Sequence, residues 1–220
     1  MCKGGTPLNK IFLGNVQRFS EDIDMDIFFK KKLEKDDKVQ FIKDRIMPIL
    51  SSSYTIPKEA RRKNIILFFC QFQNEIGMKD NIQLEFNVSE VRTGVDVIAD
   101  AHSKILPLNL SGIPVYSFDT LIAKKMKAFY EREEGKDIFD LYYSLKLNNN
   151  MTKIIQILKD VLKSSKIDYD EFVKEVPKKL ADSTMMKSLH ASTNPYIPKN
   201  LRIDFIKASS EISKKVLPHL

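Results

Sequence analysis

The feature that most constrains the fold is a switch in periodicity near residue 119. Before it, apolar residues come in short runs or alternate with polar ones; after it they recur at three- and four-residue spacing to the end of the chain. The first pattern predicts strands at 22–28, 65–72, 82–88, 95–101 and 113–118, bounded by Gly, Pro and Asn, with helices over 6–13 and about 33–50. The second predicts helices at 119–133, 137–147, 152–164, 169–181 and 200–217, with Pro195 and Pro198 breaking the last stretch. A mixed sheet with helices, followed by a helical half, places the chain in the α+β class. The expected boundary lies near Asn148-Asn149-Asn150, giving a core over 1–147 and a helical region over 148–220.

With 43% apolar residues in 220, the chain can bury a full core. Lys and Arg outnumber Asp and Glu by 36 to 29, a net charge of +7. That balance favours an anionic partner such as a nucleotide or nucleic acid, although a solvated lysine-rich surface gives the same excess. Cys2 and Cys70 cannot build a disulfide framework and suggest a reducing compartment. The longest apolar run, Ile65 to Cys70, is too short to span a bilayer, and no apolar leader follows Met1, so a cytoplasmic location is expected. His102, His190 and His219 are scattered, which excludes a zinc spacing.

In the first predicted strand Asp22, Asp24 and Asp26 alternate with Ile23, Met25 and Ile27. Residues two apart in a strand share a face at roughly 6.6 Å, so the acids line one side and the aliphatic groups the other. Asp is depleted in strands, and adjacent like charges raise one another's pKa unless something positive stands between them. A divalent cation resolves that conflict; a solvated edge face tolerates it. A calcium loop is excluded, because its sixth and twelfth positions must be Gly and Glu and here are Ile27 and Leu33. Upstream, Gly4-Gly5-Thr6 forms a flexible turn opening a helix, where backbone amides can hold phosphate oxygens, though Gly-Gly also serves any simple turn. A phosphate-holding turn just before a two-carboxylate strand is what metal-assisted nucleotide transfer requires. Ser20, beside the acids, reads first as a turn serine that can also bind or accept phosphate.

A second cluster of charges occupies 121–145. On a helix Leu121, Lys125, Ala128 and Arg132 form one stripe, leaving room for an anion between the two cations. A snorkelling surface lysine is the ordinary alternative for Lys125, and Lys124 and Lys127 face elsewhere, solvated. Gly135 reads as the stop of this helix. Asp137 and Asp140 open the next one, where an N-cap and a favourable first-turn acid would explain them without chemistry. Between the two clusters, Glu85 shares a strand face with Gln83 and Asn87, opposite Ile82, Leu84 and Phe86. A half-exposed strand face suits Glu85 nearly as well as a catalytic role.

The order Lys3-Gly4-Gly5-Thr6, Leu8, a spacer, then Arg18-Phe19-Ser20-x-Asp22-Ile23-Asp24 resembles the first motif of the polymerase-beta-like nucleotidyltransferases. In detail it is similar to the AbiEii group, the toxin component of type IV toxin–antitoxin pairs. Lys125, Ala128, Arg132, Lys136, Asp137 and Asp140 fall on the later motif of that group, and the resemblance covers residues 1–147. It implies a polymerase-beta-like mixed sheet with helices. It further implies Asp22 and Asp24 as ligands of Mg2+ or Mn2+, and Asp22, Asp24, Glu85, Lys125, Asp137 and Asp140 as the catalytic set. Lys125 would contact the triphosphate or support the leaving pyrophosphate. Gly4, Gly5, Thr6, Arg18, Ser20, Arg132 and Lys136 would bind the nucleotide. Asp26, one strand step further, is expected to be a solvated neighbour. Spacing leaves open which of Asp137 and Asp140 reaches the site.

Members of the group carry helices and a strand ahead of Gly-Gly, where this chain has Met1-Cys2-Lys3. A misassigned start, a truncated fragment or a sheet without its first strand would each give that difference. The implied reaction moves a nucleoside monophosphate from a nucleoside triphosphate to an acceptor hydroxyl. RNA, at the 3′ end of tRNA, is the acceptor the family suggests, and an antitoxin is the implied partner. A small-molecule acceptor of the antibiotic type, a protein hydroxyl, or a non-catalytic nucleotide- or RNA-binding member of the fold are the alternatives.

Overall fold

The alternation at Asp22–Ile27 becomes a strand in the computed structural model, which describes residues 1–14, 16–20, 22–31, 33–88, 94–102, 109–147 and 150–220. The strands are β1 (Cys2–Lys3), β2 (Asp22–Ile27), β3 (Thr55–Arg62), β4 (Ile65–Gln73), β5 (Lys79–Val88), β6 (Asp96–His102) and β7 (Asn109–Tyr116). The helices are α1 (Gly5–Pro7), α2 (Lys35–Ser51), α3 (Phe118–Arg132), α4 (Gly135–Lys146), α5 (Met151–Ser164), α6 (Tyr169–Ala181), α7 (Ser183–Thr193) and α8 (Phe205–Val216). No described helix is long and apolar enough to cross a membrane.

The chain forms two compact units, one of Met1–Lys3 with Glu21–Arg92 and one of Gly4–Ser20 with Thr93–Leu220. The boundary expected near 148 is not where they divide. Asn148 and Asn149 lie outside the described residues, and the helices on either side of them, α3 and α4 before and α5 after, contribute to one hydrophobic core.

In the first unit the strands run in the order β3-β4-β5-β2-β1. The β2–β5 pair is parallel, with Asp24 opposite Glu85, and the other pairs are antiparallel. The period of two puts Ile66, Phe68, Leu84, Phe86 and Val88 on the face that α2 covers with Val39, Ile42 and Leu50. Phe68 and Phe86 meet edge to face at 5.7 Å between centroids, an arrangement worth about 0.5–1.5 kcal/mol beyond the area it buries. β3 was not expected, since Pro57 and the charges of Lys58, Glu59, Arg61 and Arg62 break the alternation. Its place at the end of the strand order explains the tolerance: an outer strand accepts proline and charge, and the register shifts between Thr55 and Lys58.

In the second unit β6 and β7 form an antiparallel pair, and α3 to α8 surround a core that includes Ile122, Met126, Phe129, Ile138, Leu158, Phe172 and Phe205. Side-chain caps set several helix starts: Ser117 for α3, Asn150 for α5, Asp168 for α6, Asp182 for α7 and Asp204 for α8. α7 was not expected. The predicted helix over 6–13 is one α-helical turn, Gly5–Pro7, continued by wider turns over Leu8–Phe12. Gly135 does not stop α3. Glu133 ends that helix in the left-handed region at φ 52°, and Gly135 opens α4. A Cβ at Gly135 would stand 2.1 Å from Thr193 Oγ1 and 2.7 Å from the Leu189 carbonyl, so glycine admits α7 here.

Candidate active site

Two glycines shape the turn for different reasons. Gly4 sits at φ 79°, ψ −155°, a conformation that only glycine adopts readily. Gly5 makes room instead, since a Cβ there would meet Arg18 Nη2 at 2.2 Å. The Thr6 and Ser20 hydroxyls are hydrogen-bonded at 2.8 Å, which ties the start of this segment to its end.

Arg18 is only 4% exposed and is satisfied from within. Its Nε donates to Asp140 Oδ1 at 2.9 Å and its Nη2 to Asp140 Oδ2 at 2.8 Å, a bidentate pair. Its Nη1 donates to the Phe19 carbonyl at 3.0 Å. Asn9, which the sequence did not single out, is fully buried at the centre of this arrangement. The Asn9 amide donates to the Gly5 carbonyl at 2.8 Å and to Asp140 Oδ1 at 3.1 Å, while its Oδ1 accepts from the Arg18 backbone N–H at 3.1 Å. The only signal for it was one amide next to Leu8 in a short helical stretch.

The stripe on α3 meets the start of α4. Lys125 Nζ lies 2.7 Å from Asp137 Oδ1 and 2.8 Å from Asp140 Oδ2. Arg132 donates Nε to Asp137 Oδ2 and Nη2 to Asp137 Oδ1, both at 2.9 Å. The room for an anion between Lys125 and Arg132 is therefore filled by Asp137 of the same chain. Neither acid is the N-cap, a position Glu134 holds; Asp137 lies in the first turn of α4, and both Asp137 and Asp140 are 0% exposed. Lys125 is no snorkelling surface residue either, being 4% exposed. Arg18, Lys125 and Arg132 thus surround Asp137 and Asp140.

Burial alone would push the Lys125 ammonium down, but the Asp140 and Asp137 carboxylates outweigh it and hold it above its ordinary value. Burial likewise opposes ionisation of Asp140, and Lys125 and Arg18 outweigh it, keeping that carboxyl below the usual range. The Lys136 ammonium lies 4.1 Å over the Tyr196 ring.

In the other unit, Asp22 and Asp24 are half-buried on β2, and Asp24 faces Glu85 across the parallel pair. Asp26 is not solvated as expected. It is 4% exposed, with Lys3 Nζ at 2.8 Å and the Asn87 amide donating to its carboxylate at 3.0 Å. Lys3 also lies 3.9 Å from Glu85 Oε1, so an internal cation serves that part of the acidic face. Magnesium is usually held by one or two protein carboxylates together with water and substrate phosphates. Asp22 and Asp24 supply that donor chemistry. Among the described residues no three His, Cys, Asp or Glu are grouped to hold a metal.

A family model described as nucleotidyl transferase AbiEii toxin, type IV toxin–antitoxin system, matches residues 3–211. No curated protein matches the sequence. Among solved structures, the chain is similar over its whole length to 75% of MenT4, a nucleotidyltransferase toxin from Mycobacterium tuberculosis H37Rv, with a TM-score of 0.66 at 16% identity. An antigenic nucleotidyltransferase-like protein from Paracoccidioides brasiliensis aligns with 74% of this chain and 78% of its own, at 15% identity and a TM-score of 0.44. The likeness to MenT4 is one of fold, an α+β arrangement of mixed sheet and helices. With the family model running from Lys3 to Glu211, the chain belongs to the AbiEii nucleotidyltransferase toxins of type IV toxin–antitoxin systems.

Proposed function

We propose that the chain transfers a nucleoside monophosphate from a nucleoside triphosphate to a hydroxyl of RNA, at the 3′ end of tRNA, in the cytoplasm and under the control of a cognate antitoxin. The observation that carries the reading is the parallel register of β2 and β5, which sets Glu85 beside Asp24 on the polar face that also bears Asp22. Asp22 and Asp24 would hold Mg2+ or Mn2+, which when bound neutralises phosphate charge. Glu85 accepts the proton of the acceptor hydroxyl as its oxygen attacks the α-phosphorus and pyrophosphate leaves. The amides of Gly4, Gly5 and Thr6, with the Ser20 hydroxyl, hold phosphate oxygens. Asn9, Arg18, Asp140 and Lys125 keep that turn in shape. Arg132, whose side chain is 48% exposed, is the member of the buried cluster with surface left to meet an anion. The net charge of +7 suits an RNA acceptor.

The test is transfer of label from each of four α-labelled nucleoside triphosphates to total RNA, with and without magnesium, using the intact chain, Asp22→Ala and Asp24→Ala. Label is expected with one triphosphate, only in the presence of metal and only with the intact chain. Triphosphate binding without any labelled product would instead assign the chain to non-catalytic binding.

A further inference from the structure

We infer that Phe19 is a stacking platform for a nucleobase beside the phosphate turn, an inference that rests on the nucleotidyltransferase reading of the site. Of the 14 phenylalanines, Phe19 and Phe41 are the exposed ones among the described residues. Phe41 has ring partners, Phe29 at 5.5 Å and the Arg45 guanidinium at 5.5 Å. Phe19 is 62% exposed, and among the described residues its ring stacks on no other ring and lies under no cation. A lone exposed apolar side chain is ordinary on a protein surface. Phe19 is different because its backbone is fixed on both sides. Its N–H donates to the Tyr196 carbonyl at 2.8 Å, and its carbonyl accepts from the buried Arg18 guanidinium at 3.0 Å.

Only the two side-chain torsions of Phe19 remain to be ordered, so a flat apolar face is presented at little entropic cost. The next residue, Ser20, is bonded to Thr6 of the glycine turn, and the segment that anchors Phe19 carries Tyr196 with the Lys136 ammonium over its ring. An aromatic face next to phosphate-binding amides and a cation is the combination by which proteins hold bases without reading their edges. The base can belong to the incoming triphosphate or to the acceptor strand; both offer the same π-face.

The chain contains no tryptophan, so Phe19→Trp introduces a single fluorophore at the site. Its emission is recorded against ATP, GTP, CTP and UTP, and separately against a single-stranded RNA oligonucleotide. Affinities of the intact chain, Phe19→Ala, Phe19→Leu and Phe19→Tyr for the same probes are measured by calorimetry. Quenching of Phe19→Trp is expected, with affinity falling roughly five- to hundredfold in Phe19→Ala and Phe19→Leu and kept in Phe19→Tyr. Loss confined to the triphosphates assigns the base to the donor substrate, and loss confined to RNA assigns it to the acceptor. If the intact chain binds nucleotide or RNA and Phe19→Ala binds as well, with unchanged emission from Phe19→Trp, the platform is overturned while the nucleotidyltransferase reading stands. If Phe19→Leu binds like the intact chain, bulk rather than stacking is at work and the inference is overturned. If the intact chain binds neither probe, both readings fall together.

Discussion

Replacing Lys125 by methionine would keep most of its stem and remove the charge that stands between Asp137 and Asp140. Two buried carboxylates would then be left to Arg18 and Arg132, and a broken buried pair costs about 3–5 kcal/mol. Denaturant unfolding of Lys125→Met is expected to show a loss of that size, so absent transfer in such a variant would report on the fold as much as on the chemistry. A midpoint equal to that of the intact chain would contradict the burial seen for this residue. Asp26→Ala strips Lys3 and Asn87 of their carboxylate and is expected to cost about 1–3 kcal/mol in denaturant unfolding. Alternation was enough to read from the sequence that Asp22, Asp24 and Asp26 share a face. The burial of Asp26 was not legible, because its cationic partner, Lys3, comes from a two-residue strand too short to show a period. The same holds for Asp140: spacing put it near the start of a helix, and only tertiary packing brings Arg18 to it across 122 positions of sequence.

At the scale of elements, the turn and the α3–α4 corner depend on one another through Arg18. A methyl group at Gly5 would displace the guanidinium and with it the grip on Asp140. Gly5→Ala is therefore expected to lower the melting temperature and to weaken triphosphate binding together, as read by thermal unfolding with and without nucleotide. An unchanged melting temperature with lost binding would place the effect in the turn alone. Long periodic elements were the easiest to foresee, and α5 is the clearest case, with Ile154, Leu158 and Val161 recurring along one face. β3 and α7 escaped for opposite reasons. β3 is an outer strand whose charges obey solvent rather than pattern, whereas α7 announces itself mainly by its cap, with Asp182 accepting from the Thr184 and Met185 N–H groups.

For the molecule as a whole, the buried cluster sets a pH window. The folded pKa of Asp140 is depressed, so its contribution is present above the unfolded carboxyl value near ~4 and is lost as pH falls through the lower folded value. The folded pKa of Lys125 is raised, so its contribution is present below the unfolded value near ~10.4 and is lost as pH rises through the higher folded one. Stability from these two groups should be flat between roughly pH 5 and pH 9. The gap in unfolding free energy between the intact chain and Asp140→Asn, measured by denaturant titration, should be constant in that interval and shrink below about pH 4. A gap unchanged at pH 3 would show that Asp140 does not titrate with folding.

The bond between Arg18 and Asp140 also carries a timetable. A nascent chain that has just exposed its glycine turn and its Asp-rich strand has not yet made Asp140, the acid against which Arg18 is buried. At ~5–20 residues per second, the 122 positions between the two partners take about 6–24 s to make. During synthesis the first motif thus waits, unassembled, for the second. In a toxin of this family, that delay leaves each new copy without its Arg18–Asp140 pair until Asp140 has been made.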